Sequence, residues 1–233
     1  MSDCSRNVEE VRNLLQACSG FSSQQTVSFY DSWAECYEQD LETMTYRSPH
    51  HATGFLEAHL PAGRDQVQVL DVACGSGLVA KLMFEQGFRH FVGVDGSEVM
   101  LQKAAESGLY QDLRLALLGT EPLPAQTGVF DVVMVAGALD AGFVPVSVVR
   151  ELCSAAKPGG LVCMSRGNHR QCSSEEYRKD LERELVLLEE EGLWSPVGVH
   201  QVDQYMENTV KNQQEEGRFI SGTVYLYQRS QNV

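Results

Sequence analysis

The sequence predicts an α/β protein, a three-layer sandwich around a mostly parallel seven-stranded sheet with an antiparallel edge strand, preceded by a helical N-terminal lid. Three observations predict it. Short apolar runs alternate with segments of helical period through the middle of the chain, the pattern of a parallel sheet covered on both faces. The first of these runs opens into the glycine-containing turn Cys74-Gly75-Ser76-Gly77, placed as a ligand-binding turn is at the C-terminal end of a strand. Two strand-like runs, 197–205 and 220–229, close the chain after a long charge-rich helix, and such a pair suits an antiparallel edge.

In chain order, 7–17 reads as a helix, and 29–41 as a second one rich in aromatics, with Phe29, Tyr30, Trp33 and Tyr37. These form the expected lid, residues 1–50 with a mobile start of about 20 residues, ahead of a main domain over 51–233. Val67–Asp71 is the first strand, and 78–86 a helix with Leu78, Val79, Leu82 and Met83 at helical spacing. Phe91–Asp95 is the second strand. Ser97 caps a helix through Met100, Leu101, Ala104 and Ala105 that Gly108 stops. Strands follow at 113–118 and 130–136, then a helix at 146–156, then a strand at 160–165 after Lys157-Pro158-Gly159-Gly160. Residues 174–191, with Leu181, Leu185 and Leu188 on one face, form a long amphipathic helix capped by Ser173 or Ser174 and followed by Gly192. The final run alternates Val224 and Leu226 with Thr223, Tyr225 and Tyr227, as a half-exposed strand would.

Composition narrows the function. The 233 residues fit one elaborated domain. Acidic side chains outnumber basic ones 32 to 18, a net charge of −14, and no basic cluster offers a footprint for a phosphate backbone, so nucleic acid is disfavoured. No apolar run approaches the ~20 residues of a membrane span, and the polar, acidic start does not read as a secretion signal. Seven cysteines, an odd number without a C-x-x-C, read as reduced thiols of a cytoplasmic protein, with the nucleus left open. The six histidines form no ligand set, and no metal is expected.

The chemistry centres on the glycine turn. Asp95 ends the next strand about 20 residues on, where a carboxylate can accept both ribose hydroxyls of a nucleoside cofactor. Gly75 to Ala80 also spells G-x-G-x-x-A, so a nicotinamide dinucleotide and an S-adenosyl cofactor both remain open from the turn alone. Asp71 favours a cationic cofactor over a pyrophosphate that it would repel. No Tyr-x-x-x-Lys pair is present, and the loop after the second strand offers no Arg for a 2′-phosphate.

The ordered set V-L-D-V-A-C-G-S-G (69–77), G-V-D-G-S-E-V-M-L (93–101), F-D-V-V (130–133) and K-P-G-G (157–160) resembles the class I S-adenosylmethionine-dependent methyltransferases. The resemblance runs from about Tyr30 to the C-terminus. Y-D-S-W-A-E-C-Y-E-Q-D-L (30–41) and Y-R-S-P (46–49) are similar, more narrowly, to methyltransferase-like proteins. The resemblance implies a Rossmann-like fold, S-adenosylmethionine as cofactor and S-adenosylhomocysteine as product.

It also implies residue roles. Asp71 and Gly75-Ser76-Gly77 would line the amino-acid end of the cofactor, with Cys74 in the same cofactor-binding loop as a small turn residue, Asp95 would hold the ribose, and Gly96, Ser97 and Met100 would lie along the adenosine. Ala73 replaces the usual first glycine, which is tolerated if its φ stays negative. The family's D-A-E-x-L-P loop reads Gly119-Thr120-Glu121-Pro122-Leu123-Pro124 here. Its Asp is missing, and adenine N6 would turn to Glu121 or a backbone carbonyl. Ala136 and Gly137 would face the methionine portion. Trp33, Tyr37, Tyr46 and Arg47 match the set that closes over the cofactor in related enzymes, with Arg47 pairing the cofactor carboxylate. Trp33 and Tyr37 equally suit an apolar helix face, and Arg47 a surface ion pair.

The implied function is methyl transfer by in-line displacement to an unidentified acceptor, a small molecule ahead of a protein, by a monomer that touches neither nucleic acid nor membrane. No catalytic residue is assigned. His169, Asp140 and His200 are candidate bases, each weighed against an ordinary surface role. Base methylation is unsupported, since no D/N-P-P-Y/F loop follows the fourth strand, and Ser165–Asn168 lacks the carboxylate that a catechol-type metal site needs. Two alternatives stand beside it: a non-catalytic sensor or scaffold that binds the cofactor, and an NAD-type oxidoreductase.

Overall fold

The computed structural model describes residues 4–60, 62–209 and 217–231. Its sheet has seven strands: β1 (Gln68–Val72), β2 (His90–Asp95), β3 (Tyr110–Leu115), β4 (Phe130–Ala136), β5 (Ala156–Gly167), β6 (Trp194–Glu207) and β7 (Phe219–Arg229). The order is β3-β2-β1-β4-β5-β7-β6. Strands β1 to β5 are mutually parallel, and β7 runs antiparallel to both β5 and β6. The chain reverses its direction of travel between β1 and β4, which leaves a crevice beyond their C-terminal ends.

Helices cover both faces. On one lie α4 (Ser48–His59) and α5 (Leu78–Glu85), with Ala52, Leu56, Val79 and Met83 packed on Val69, Phe91 and Met134. Helix α6 (Glu98–Glu106) packs beside β2 and β3. On the other lie α7 (Val148–Ala155) and α8 (Cys172–Glu190), with Val149, Leu152, Leu181 and Leu188 on Leu70, Val133 and Val162. Fully burying each such Val, Leu, Phe or Met side chain is worth about 1.5–3 kcal/mol. No helix among the described residues is long and apolar enough to cross a membrane.

The alternating strands and helices of the central stretch are in place, Phe130–Ala136 to the residue, and Ser97 caps α6 by accepting from Met100 N–H at 3.0 Å. Several expectations are corrected. The third strand lies at 110–115 rather than 113–118, because its register is set by pairing with β2, from Phe91↔Tyr110 to Asp95↔Leu115. Strand β5 starts at Ala156, and 157–160 is accommodated where the register jumps from Phe130↔Ala156 to Val132↔Leu161. Strand β7 is not half-exposed. Lying between β5 and β6, it buries Val224 and Leu226 under α4 and sends Tyr225 and Tyr227 into the opposite core, where Tyr227 stacks on Trp194 at 4.3 Å. Helix α8 starts at Cys172, with Gln171 at the cap position and no side-chain cap bond, so neither serine caps it. The polar stretch between the last two strands falls partly on 210–216, outside the described residues.

Three helices precede α4: α1 (Val8–Ala17), α2 (Ser23–Trp33) and α3 (Tyr37–Thr43). Asn7 and Glu10 form a capping box on α1, and Val11 is buried against Val202, Tyr205 and Met206 of β6. The single helix expected over 29–41 is two, broken by a turn at 34–36 in which Cys36 N–H donates to Trp33 O. A disulfide joins Cys36 to Cys4 at that turn. The reading of all seven cysteines as free thiols is therefore corrected, with Cys18, Cys74, Cys153, Cys163 and Cys172 left free. Residue 50, the expected lid boundary, falls inside α4; residues 1–3 of the expected mobile start lie outside the described residues.

Candidate active site

A cavity of about 450 Å³ lies between the lid helices and the C-terminal ends of β1, β2 and β4. That volume falls within the ~300–1,000 Å³ of small-ligand sites. Its floor is the glycine turn and the ends of the strands, through Ala73, Gly75, Asp95, Gly96, Ala136 and Gly137. Its roof is aromatic, with Tyr30, Trp33, Tyr37 and Tyr46 all on the wall.

Asp95 organises the floor. Gly75 N–H donates to its Oδ2 at 2.8 Å, and Ser97 N–H donates to its Oδ1 at 2.9 Å. Each oxygen keeps a further lone pair. Burial pushes the Asp95 carboxyl above the usual range, against the pull of those N–H donors. Ser97 Oγ donates in turn to Asp31 Oδ1 on α2 at 2.5 Å, tying floor to lid.

The lid is held by more than packing. Trp33 Nε1 donates to the buried Asp40 at 2.6 Å, Arg6 pairs with the same oxygen at 2.5 Å, and Trp33 meets Tyr37 edge to face at 4.9 Å. Glu38 pairs with Lys81 of α5 at 2.6 Å and Glu35 with Lys103 of α6 at 2.7 Å. Burial raises the pKa of Tyr30, Tyr37 and Tyr46, and of Tyr205 across the cavity, so all four remain neutral phenols.

Ten of the residues expected from the sequence share this wall: Trp33, Tyr37, Tyr46, Ala73, Gly75, Asp95, Gly96, Ser97, Ala136 and Gly137. Nine do not. Asp71 is buried with its Oδ2 accepting from Tyr110 Oη at 2.7 Å and its Oδ1 without a partner. Burial pushes its carboxyl up to about 7, the Tyr110 hydroxyl opposing and Asp95 adding to the rise. Cys74, Ser76 and Met100 are buried away from the wall, and Gly77 lies against the Tyr110 ring. Gly119 sits against Pro145, where a Cβ would collide, and Thr120 and Glu121 are exposed. The loop after β3 instead offers Ala116, Leu117 and Leu118 to the cavity. Arg47 is exposed, and its backbone N–H donates to Tyr205 O at 2.8 Å.

One expectation about the turn is overturned. Ala73 has φ +54°, not a negative value. The turn holds it in the left-handed region, at a cost of about 1–2 kcal/mol for a residue with a Cβ.

Of the candidate bases, His169 and Asp140 line the cavity, whereas His200 stacks on Phe55 at 5.5 Å outside it. Burial lowers the pKa of His169, opposed by Asp140. Tyr205 and Phe143 also line the cavity and were missed, because one comes from the late strand β6 and the other from the loop after β4, with no motif around either.

The residues present fit an S-adenosyl nucleoside. The Asp95 carboxylate offers two oriented acceptors to a diol, and the open side of Gly75, where among the described residues only Tyr37 comes within 4.0 Å of a Cβ position, admits close approach. A family model described as a methyltransferase domain matches residues 64–218. Methyltransferase-like protein 27 of Homo sapiens, the Williams–Beuren region protein, is 42% identical over 198 residues, covering 84% of this chain and 80% of that one. A ubiquinone biosynthesis O-methyltransferase of Idiomarina loihiensis is 32% identical over 160 residues, covering 66% and 61%. The structure of a TehB-like SAM-dependent methyltransferase from Corynebacterium glutamicum aligns with a TM-score of 0.56 at 15% identity, covering 85% and 99%, a likeness of fold. The two readings of the glycine turn are thereby resolved: the chain belongs to the class I S-adenosylmethionine-dependent methyltransferases.

Proposed function

We propose that this methyltransferase binds S-adenosylmethionine in the cavity under the lid, with the ribose on Asp95, and passes the methyl group to a small-molecule acceptor. The observation that carries this reading is the Asp95 carboxylate, set in the cavity wall with both oxygens oriented by backbone N–H groups. The cofactor supplies an electrophilic methyl group on a positively charged sulfur. The faces of Tyr30, Trp33 and Tyr37 suit such a cation.

The acceptor class follows from size and charge. A cavity of about 450 Å³ beneath an ion-paired lid suits a small molecule rather than a folded polymer, and the net charge of −14 disfavours a nucleic acid. The O-methyltransferase relative, named for ubiquinone biosynthesis, is in keeping with this. The protein's contribution is to hold the nucleophile in line and exclude water, which supplies much of the acceleration in such transfers. His169, kept neutral by burial, can accept the proton that an acceptor hydroxyl releases.

The test is a calorimetric titration of the wild type and Asp95→Ala with S-adenosylmethionine, followed by an S-adenosylhomocysteine-release screen over fractionated metabolites. Micromolar affinity lost in Asp95→Ala supports the cofactor placement, and equal affinity in both proteins refutes it. Release that depends on a low-molecular-weight fraction supports the acceptor class; release only with macromolecular fractions refutes it.

A further inference from the structure

Two glycines near the cofactor turn, Gly77 and Gly93, share a neighbour that the methyl-transfer reading does not use. Tyr110 opens β3, the strand at one edge of the sheet, and its half-buried ring packs on the core beneath α5. A Cβ on Gly77 would lie 3.1 Å from Tyr110 Cε2. One on Gly93 would lie 3.0 Å from Tyr110 Cε1, with Leu113 and Cys74 as close or closer. The two missing side chains leave a slot, and the phenol ring fills it.

At the end of the slot the Tyr110 hydroxyl donates to Asp71 Oδ2 at 2.7 Å. Among the described residues this is the one hydrogen bond that the buried Asp71 carboxyl receives, because Oδ1 has no partner. A carboxyl in so dry a place is costly without a donor. An aspartate also competes readily for backbone N–H groups a few residues away in the chain, which here belong to the cofactor turn. Those groups are already committed. Cys74 N–H donates to Val94 O at 3.1 Å, Gly75 N–H to Asp95 Oδ2 at 2.8 Å and Gly77 N–H to Cys74 O at 3.0 Å.

We propose that Tyr110 is a positioning residue for cofactor binding: by holding the Asp71 carboxyl from below, its hydroxyl leaves the N–H groups of the turn, Gly75 above all, to Asp95 and the cavity floor. The inference rests on the cofactor placement above. Tyr110 is not on the cavity wall, so it acts through the turn. Its hold depends on the charge state of Asp71, since a hydrogen bond to an ionised carboxylate is roughly twice as strong as one to a neutral group. The titratable groups that interact with Asp71 are Tyr110 of β3, Asp95 of β2 and Cys74 of the turn. Its partner in β4 is Met134. Helix α5 carries Lys81 and Glu85, and α6 carries Glu98, Lys103 and Glu106, the two lysines being paired with Glu38 and Glu35 of the lid.

The experiment measures S-adenosylhomocysteine affinity by calorimetry at about pH 8 and about pH 5.5, on either side of the Asp71 titration. Wild type, Tyr110→Phe, Asp71→Asn and the double variant are compared. Phenylalanine keeps the ring in its slot and removes only the hydroxyl, so Tyr110→Phe is expected to fold, which its melting curve checks. Its affinity is expected to fall on the order of tenfold at the higher pH and by less at the lower, where Asp71 is protonated. Asp95 and His169 titrate in both proteins, so the ratio of variant to wild type reads Tyr110. In the Asp71→Asn background the same substitution is expected to cost less, and equally at both pH values. Unchanged affinity in Tyr110→Phe at the higher pH, or a loss of the same factor at both, overturns the proposal. So does a pH-dependent loss that persists in the Asp71→Asn background. No binding by the wild type at either pH refutes the cofactor placement, and the proposal with it.

Discussion

The hydroxyl of Tyr46 rests directly on Gly137, in the space that a Cβ at that position would occupy, with Ser48 Oγ beside it. Gly137 follows β4, has φ +79°, and donates its N–H to Ser165 O at 2.9 Å. The lid and the floor of the cavity therefore meet at a contact that only glycine allows.

Gly137→Ala is expected to destabilise the fold by roughly 2–3 kcal/mol, from backbone strain and the displaced Tyr46 together. Adding Tyr46→Phe removes the clashing hydroxyl and should recover part of that loss. Chemical denaturation of the two single variants and the double one measures the coupling; strictly additive losses would show that Tyr46 does not rest on Gly137.

Asp71 makes stability depend on pH in a direction unusual for an aspartate. Its carboxyl, ordinarily near 3.8 when free, is pushed up to about 7 in the fold, chiefly by burial. Below about 4 it is neutral in both states. Between about 4 and 7 the unfolded chain releases the proton first, so this group's contribution turns unfavourable as pH rises, and it stays fully unfavourable above 7. Asp71→Asn keeps an acceptor for the Tyr110 hydroxyl and is expected to stabilise the protein by about 1–3 kcal/mol at pH 8. The gain should shrink towards pH 5. Melting curves at the two pH values check this, and a gain independent of pH would contradict it.

Ala73 holds φ +54° in the turn that floors the cavity. Ala73→Gly removes the Cβ conflict at the expense of a more flexible unfolded chain, for a net gain of about 0.5–1 kcal/mol. Denaturant midpoints of the variant and wild type provide the measurement. A loss of stability would mean that the alanine methyl group contributes packing worth more than the strain.

Much of this molecule is local and therefore legible. The alternation of strand and helix over 68–136, the Ser97 cap and the spacing from Gly75 to Asp95 depend on residues close in the chain, and they stand in the structure where those signals put them, apart from the third strand, which lies three residues earlier. The ordered motifs resembled the family to which the chain belongs. The site was legible only in its floor and part of its roof. Asp71 reads as a wall residue by position in its motif, yet Tyr110, a residue of the third strand, draws its carboxylate beneath the turn. Gly119 to Glu121 read as the adenine loop, yet β2 ends its pairing with β3 at Leu115, which delivers Ala116 to Leu118 to the cavity instead.

What the sequence determined by itself is the alternation of elements, the glycine turn and its carboxylate, because backbone hydrogen bonding and hydrophobic period act over a few residues. Only the tertiary structure decided the rest. It inserted β7 between β5 and β6 and so buried Tyr225 and Tyr227, broke the aromatic helix at the turn where Cys36 meets Cys4, and buried the Arg166 guanidinium against Leu139 O and Ser174 O with no ion pair among the described residues. The physical reason is common to all three. Each depends on residues far apart in the chain being brought together, and burial, pairing and unmet charge exist only once that has happened.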